Sequence, residues 1–434
     1  MHIVQKCINL HFAFSTVETV MVKATKSVPR IIESKGLVYA GYHSLDERPA
    51  FKLAMQQVGK RWYLYAGHLW HRGWSVLDVT DPSSPELVRF VKGPDNTTTS
   101  QVTIGDGILI TALQIPREER GGNSGKKSEE GVLIWDIARD STNPELLGRY
   151  NTGGNGTHRN LYTGGKFAYL AGNPKGFYGN IMIVLDISDP SEPIEASRFW
   201  WKGQDVGKGQ GPDTPISLHG PAYVWGNRAY LSYGGIGMVI LDITDPYNPE
   251  FISRFSFGNL GSRLANRAVC CHSAVPVPGK NMVIVTSEPM DRTHDYNYVY
   301  LLDISDEQEP NAISCFPTPM PQKQLPYHNY VEKGARFGPH NLHHYYRGQE
   351  YLYKSSSTFY IAYCNAGIRK YDISDPYLPE EVGCFVPEDP YTRIGIEPTE
   401  KLVCDFDDVL VDSRGYIYCS EKNSGLYILR DTES

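Results

Sequence analysis

The sequence predicts an all-β fold, a seven-bladed β-propeller in one domain, and three observations carry that expectation. One strand–turn–strand unit recurs six times along the 434 residues. The composition, with 41 glycines, 29 prolines and 12% aromatic residues, has the turn-rich balance of a β-protein. A seventh unit stops one strand short at the C-terminus, and a matching strand stands near the N-terminus.

The unit is recognised by its turn. "SVLDVTDPSSPELVRF" begins at Ser75, "LIWDIARDSTNPELLGRY" at Leu133 and "IVLDISDPSEPIEASRF" at Ile183. "VILDITDPYNPEFISRF" begins at Val239, "YLLDISDEQEPNAISCF" at Tyr300 and "RKYDISDPYLPEEVGCF" at Arg369. Each apolar run ends at an aspartate: Asp78, Asp136, Asp186, Asp242, Asp303 and Asp372. A carboxylate there can accept local backbone N–H groups while a nearby proline presets φ, so these aspartates read as turn formers rather than catalytic groups.

Upstream of each turn lie two more strand signals, as in "HGPAYVWGNRAYLSYG". Four strands per unit, at a period of roughly 45–70 residues, make a propeller blade. The last unit, "LVCDFDDVLVDSRGYIYCSEKNSGLYILRDTES", has three strands. Its fourth is assigned to "GLVYAGYHSL" (36–45), which closes the ring and removes an open edge. Residues 36–434 then form the propeller, and 1–35 read as a partly disordered extension without a convincing signal-peptide pattern.

A net charge of -7 and a pI near 6.0 give no footprint for nucleic acid or an anionic membrane. No apolar run approaches the ~20 residues of a membrane span. The mixed-charge stretch "REERGGNSGKKSEEG" (117–131) reads as a solvated loop. Eight cysteines without paired spacing suggest reduced thiols and a cytoplasmic setting, against which stand two N-x-T sequons at Asn96 and Asn155. The oligomeric state stays open.

The strands before the turns, "IMIVLDISDP" and "GMVILDITDP", resemble the LVIVD-repeat family of β-propellers. The resemblance covers nearly the whole chain from about residue 36. It implies the fold but assigns no activity. The architecture is also distantly similar to the selenium-binding protein (methanethiol oxidase) family, which implies a histidine-bound metal without transferring individual residues.

Register singles out the candidate site. His219 lies seven residues before Gly226, which opens the turn between the first two strands of its blade; the same offset selects His158 before Gly165 and His272 before Gly279. In the less regular sixth blade the equivalent is His340, with His343 or His344 as alternatives. The first, second and seventh blades offer Lys52, Thr98 and Asp405. Innermost strands line the channel and their first residues converge on one rim, where most of the long loops also fall. With 13 histidines in the chain, four in register point to a shared metal ion.

Imidazoles suit iron, copper, manganese and zinc. A four-histidine, carboxylate-free set resembles the arrangement in carotenoid cleavage oxygenases, and neutral ligands leave the ion its full charge. The expectation is therefore one metal ion, iron or copper ahead of manganese or zinc, bound by His158, His219, His272 and His340. Asp405, Asp407 and Lys52 are the candidate catalytic groups, the aspartates for proton transfer or histidine orientation and Lys52 for an anionic substrate group. Oxidase or oxygenase chemistry on a small molecule comes first. A metal-dependent lyase or hydrolase comes second, and a protein-binding scaffold third. His68, His71, Glu288, His294 and His328 read as surface residues of rim loops. Cys271 reads as packed. Trp70, Trp200 and Trp201 are either pocket wall or interblade packing.

Overall fold

The computed structural model describes residues 30–69, 71–118, 121–208, 216–257, 269–289, 298–392 and 401–433. Within them the chain forms seven four-stranded antiparallel sheets, the seven blades expected. Blades one to five follow chain order, with first strands Ala50–Val58, Val102–Gly105, Gly156–Leu161, Ser217–Trp225 and Val269–Pro276. Blade seven runs through Phe406–Val411, Tyr416–Glu421 and Gly425–Asp431 and is completed by Leu37–His43, with Leu37 opposite Asp431 and His43 opposite Leu426. The N-terminal strand therefore closes the ring.

Blade six departs from the pattern. Its sheet is Thr358–Ala362, Ile368–Asp372 and Glu380–Pro387, with Ile31–Lys35 added on the outside. Residues 31–35, which the repeat pattern leaves in the N-terminal extension, are thus a strand; residues 1–29 lie outside the described residues. The inner layer of this blade is an irregular segment. It is held by His340 N–H to Ala362 O (2.8 Å), Ala362 N–H to Asn341 O (2.9 Å) and His343 N–H to Tyr360 O (2.9 Å).

The aspartate turns form as their chemistry dictates. All six first aspartates accept a bond through Oδ1 from the N–H two residues on, from Thr80, Ala138, Ser188, Thr244, Ser305 and Ser374, at 2.5–2.9 Å. The strands they end are sandwiched between neighbouring blades. Met182, Ile183, Val184 and Leu185 are all fully buried, which explains a continuous apolar run where a half-exposed strand would alternate. The thiol of Cys271 is packed in this core, and no disulfide joins any of the described cysteines.

The turns also join blade to blade. Ser197, Ser253 and Ser314, at one position of successive outer strands, donate to Pro246 O (2.7 Å), Glu307 O (2.5 Å) and Pro376 O (2.7 Å) in the turn of the next blade. Gly148 fills the same position in blade two, where a Cβ would stand 2.3 Å from Pro190 O. The contact is closer there, and only hydrogen fits. Among the described residues, no helix is long and apolar enough to cross a membrane.

Candidate metal centre

The histidines chosen by register occupy one distinctive backbone position. Pairing of the first strand with the second skips from Thr157 to Arg159, from Leu218 to Ala222 and from Cys271 to Ser273. His158, His219 and His272 therefore sit in β-bulges, which bend a strand and re-aim a side chain. The bulge of blade seven skips Asp407, and that of blade one skips Phe51 and Lys52. Asp407 is thus the blade-seven counterpart of the histidines, and Asp405 lies just before the strand.

The four imidazoles form one arc. Ring centroids are 5.3 Å apart for His158 and His219, 4.8 Å for His219 and His272, and 4.2 Å for His272 and His340. A carboxylate that the sequence reading placed on the surface faces this arc. Glu288 ends the second strand of blade five, Met282–Pro289, with its side chain only 12% exposed. One oxygen is 3.4 Å from His219 Nε2 and 3.6 Å from His272 Nε2, and the other is 3.9 Å from His340 Nε2. Ligating atoms of His219, His272 and Glu288 all lie within 4.8 Å of one another, a grouping able to hold a metal ion. The surface reading of Glu288 is corrected: the strand continues to residue 289 and carries the carboxylate inward.

The far ring nitrogens are held in a way that suits ligation. His340 Nδ1 is 2.5 Å from Asp407 O, His158 Nδ1 is 3.1 Å from Gln114 Oε1, and His272 Nδ1 is 3.0 Å from Ser273 Oγ. An Nδ1–H donated to the first two acceptors leaves Nε2 as the lone-pair nitrogen, the usual support of a ligating histidine. Burial, then the neighbouring arginines and imidazoles, holds His272 well below the ordinary histidine range. Burial and Arg336 do the same for His340, so both rings are neutral near pH 7.

A charged network anchors the carboxylate. Arg336 donates to Glu288 (2.9 Å), to Asp405 (3.2 Å) and to Asp407. Lys422 pairs with Asp405 at 2.8 Å. Burial alone would raise Asp405, but Arg336 and Lys422 hold it low. Burial pushes Asp407 up to about 6 against the pull of Arg336, and its Oδ2 has no hydrogen-bond partner. Arg159 Nη1 lies 3.0 Å from His272 Nε2 and 3.3 Å from Nδ1. Its guanidinium therefore stands beside the His272 ring nitrogens, where an ion bound at Nε2 would have to displace it.

Other candidates lie elsewhere. Lys52 pairs with Asp408 at 2.9 Å, so its charge is already matched. His343 is bonded on both nitrogens, to Tyr353 O and from Val411 N–H. His344 packs its ring edge-on against Tyr223 and Tyr346. His340 is thus the member of the "HNLHH" stretch that joins the arc. His68 is fully buried between Pro49 O (3.0 Å) and Ser75 Oγ (2.7 Å) and is no surface residue. His71 is partly buried, and exposed His328 pairs with Glu332. Trp200 packs on Phe177, and Trp201 packs between Phe251 and Arg254, away from the arc. Trp70 and His294 lie outside the described residues. Sequence reasoning missed Glu288, Arg159 and Arg336. Of these, Glu288 had a signal in the strand pattern, because it stands opposite Cys270, two residues before His272.

Comparisons with known proteins agree on architecture. Residues 155–200 and 223–256 match the model of the LVIVD repeat. No curated protein matches the chain in sequence. Among solved structures, the periplasmic gluconolactonase of Pseudomonas aeruginosa superposes with a TM-score of 0.55 at 10% identity, over 85% of this chain and 99% of that one. The β-propeller domain of Cps50 (Swd1) from Myceliophteria thermophila gives 0.54 at 9%, over 91% and 99%. A hypothetical selenium-binding protein from Sulfolobus tokodaii gives 0.50 at 14%, over 92% and 91%. At such identities the likeness speaks for the fold. The chain is a seven-bladed β-propeller whose third and fourth blades carry LVIVD repeats.

Proposed function

We propose that this propeller is a metal-dependent enzyme acting on a small organic molecule at the mouth of its channel. His219, His272, His340 and Glu288 would hold one divalent transition-metal ion, with His158 as the fourth imidazole. The observation that carries this reading is an arc of four histidines from four blades, three of which, His219, His272 and His340, stand within 3.9 Å of one largely buried carboxylate.

The donor set now includes a carboxylate, which suits iron, manganese or zinc better than copper(I). Iron(II) is the first candidate. Such an ion, when bound, supplies either dioxygen activation or Lewis-acid polarisation of a carbonyl. The protein's own part is orientation: Arg336 aims Glu288, the carbonyl of Asp407 sets the His340 tautomer, and burial keeps the His272 and His340 imidazoles neutral. Oxidase or oxygenase chemistry is the first reading. Lyase or hydrolase chemistry is the second, favoured by Asp407, whose unbonded Oδ2 is placed to take or give a proton beside the arc.

Elemental mass spectrometry on protein purified without chelator or histidine tag tests the reading, beside a His219→Ala, His272→Ala double variant. The expected result is about one iron per chain, lost in the variant with the β-sheet spectrum intact. Manganese or zinc in its place, without oxygen consumption, selects the second chemistry. No metal in either protein after reconstitution refutes both.

A further inference from the structure

Two guanidinium groups occupy places where an ion would meet its ligands. Arg159 Nη1 stands 3.0 Å from His272 Nε2, and Arg336 Nη1 donates to Glu288 Oε1 at 2.9 Å. Arg159 is 2% exposed and also donates to Asn341 Oδ1 and to the His272 carbonyl (3.2 Å). Without an ion the charges around the arc are balanced. Lys52 pairs with Asp408, Lys422 with Asp405, and Arg336 with Glu288 and Asp407, while Arg159 also acts on Asp408. Four cations thus face four carboxylates, and the His272 and His340 rings are neutral. Behind Asp405 the buried carboxyl of Glu421 is pushed up to about 7 and adds at most one negative charge.

A divalent ion shifts this balance by two charges, and neutral imidazoles return neither. At least one positive charge is then left over among mostly buried side chains, a costly state unless an anion enters with the ion. Resting on the metal reading above, we propose that the substrate is a small organic acid whose carboxylate bridges the ion and Arg159. Asn341 and the His272 carbonyl still tether the guanidinium beside this histidine once Nε2 is taken. A carboxylate has two oxygens for two adjacent cationic groups and matches the planar guanidinium fork, whereas water and halide offer one atom. The side chains of His219, Glu288 and Arg336 are 18%, 12% and 21% exposed, so the acid reaches the centre from the rim.

Cobalt(II), a visible stand-in for iron(II), is titrated into the metal-free full chain alone and with sodium acetate, acetamide or sodium chloride. Acetate should alter the cobalt spectrum and tighten cobalt by about tenfold, and cobalt should tighten acetate by the same factor. Acetamide, which has the shape without the charge, and chloride, which has one atom, should each act by less than about threefold. Arg159→Gln should bind cobalt more tightly than wild type when acetate is absent, because a competitor at His272 is gone. The same variant should lose most of the acetate effect, and Arg159→Lys should keep part of it, with circular dichroism as the control for folding. An unresponsive cobalt spectrum, or an equal response to acetamide or chloride, overturns the proposal and leaves the metal centre standing; this comparison needs only the wild-type chain. An unchanged acetate effect in folded Arg159→Gln protein overturns it equally. No cobalt binding at all removes the metal reading and this inference with it.

Discussion

Glu288→Gln keeps the shape of the side chain and removes its charge, which makes it the sharpest probe of the centre. The carboxylate oxygens stand 3.4–3.9 Å from three imidazole nitrogens, with 12% of the side chain exposed. At about 4 Å and an effective dielectric of about 20, one pair of unit charges interacts by about 4 kcal/mol. A divalent ion doubles that attraction, and desolvation of the ion and carboxylate removes a large part of it. A net loss of about 3–4 kcal/mol is therefore expected, two to three powers of ten in metal affinity. Arg336→Met should act in the opposite sense, because it removes a cation bonded to Glu288 at 2.9 Å and leaves the carboxylate free for the ion. Competition titration against a chromogenic chelator at neutral pH measures both variants, with circular dichroism as the control for folding. Glu288→Gln affinity within about threefold of wild type would show that Glu288 serves only to pair Arg336, and weakening by Arg336→Met would show that its aim on Glu288 outweighs its competition with the ion.

Ser197→Ala, Ser253→Ala and Ser314→Ala should each cost about 1 kcal/mol in urea unfolding and about 3 kcal/mol together, because they lie at separate blade contacts. Gly148→Ala should cost more than any one of them, since its Cβ would meet the Pro190 carbonyl; a neutral result would remove the turn-to-strand contact as a source of stability. His68 is held down at about 4 by burial, against 6.5 in the open chain. The folded form therefore binds fewer protons between those values. Its contribution is complete above pH 6.5 and falls by about 3 kcal/mol as pH drops to 4. His68→Gln should flatten that slope in denaturant titrations, and an unchanged slope would exclude His68 as the cause. Removing residues 1–35 deletes the strand Ile31–Lys35 and with it Glu33, which accepts the Tyr330 hydroxyl at 2.6 Å. The truncated chain should lose about 2–3 kcal/mol and still bind metal. Unchanged stability would mean that this strand contributes nothing to blade six.

Much of this architecture can be read from the chain because a propeller repeats one local solution. The aspartate turn depends on residues two apart, so six copies of it mark six blades without knowledge of tertiary contacts. The histidine register is readable for a related reason: the offset from His219 to Gly226 is a strand length, and blade geometry turns equal offsets into spatial neighbours. Where the local pattern breaks, the reading shifts. In blade seven, whose turn is longer, the strand start was placed at Asp405, but the bulge that re-aims a side chain falls on Asp407. Glu288 was hidden because the strand carrying it runs on into a polar stretch that resembles a loop. Arg159 and Arg336 follow no repeat at all. They are recruited from a strand and a long loop to balance charges contributed by several blades.

Ring closure has a consequence in time. The closing strand Leu37–His43 is among the earliest made, and its partner Gly425–Asp431 is the last. At about 5–20 residues per second, roughly 20–80 s of synthesis separate the two. For that interval the early strand is a bare edge awaiting a mate. All four histidines and Glu288 are already present by then, but Asp405 and Asp407, which anchor Arg336, and Lys422, which pairs with Asp405, arrive only with the final blade. The event that shuts the ring is thus also the one that locks the centre, and a nascent chain can gather the ligands of its site before it can hold them still.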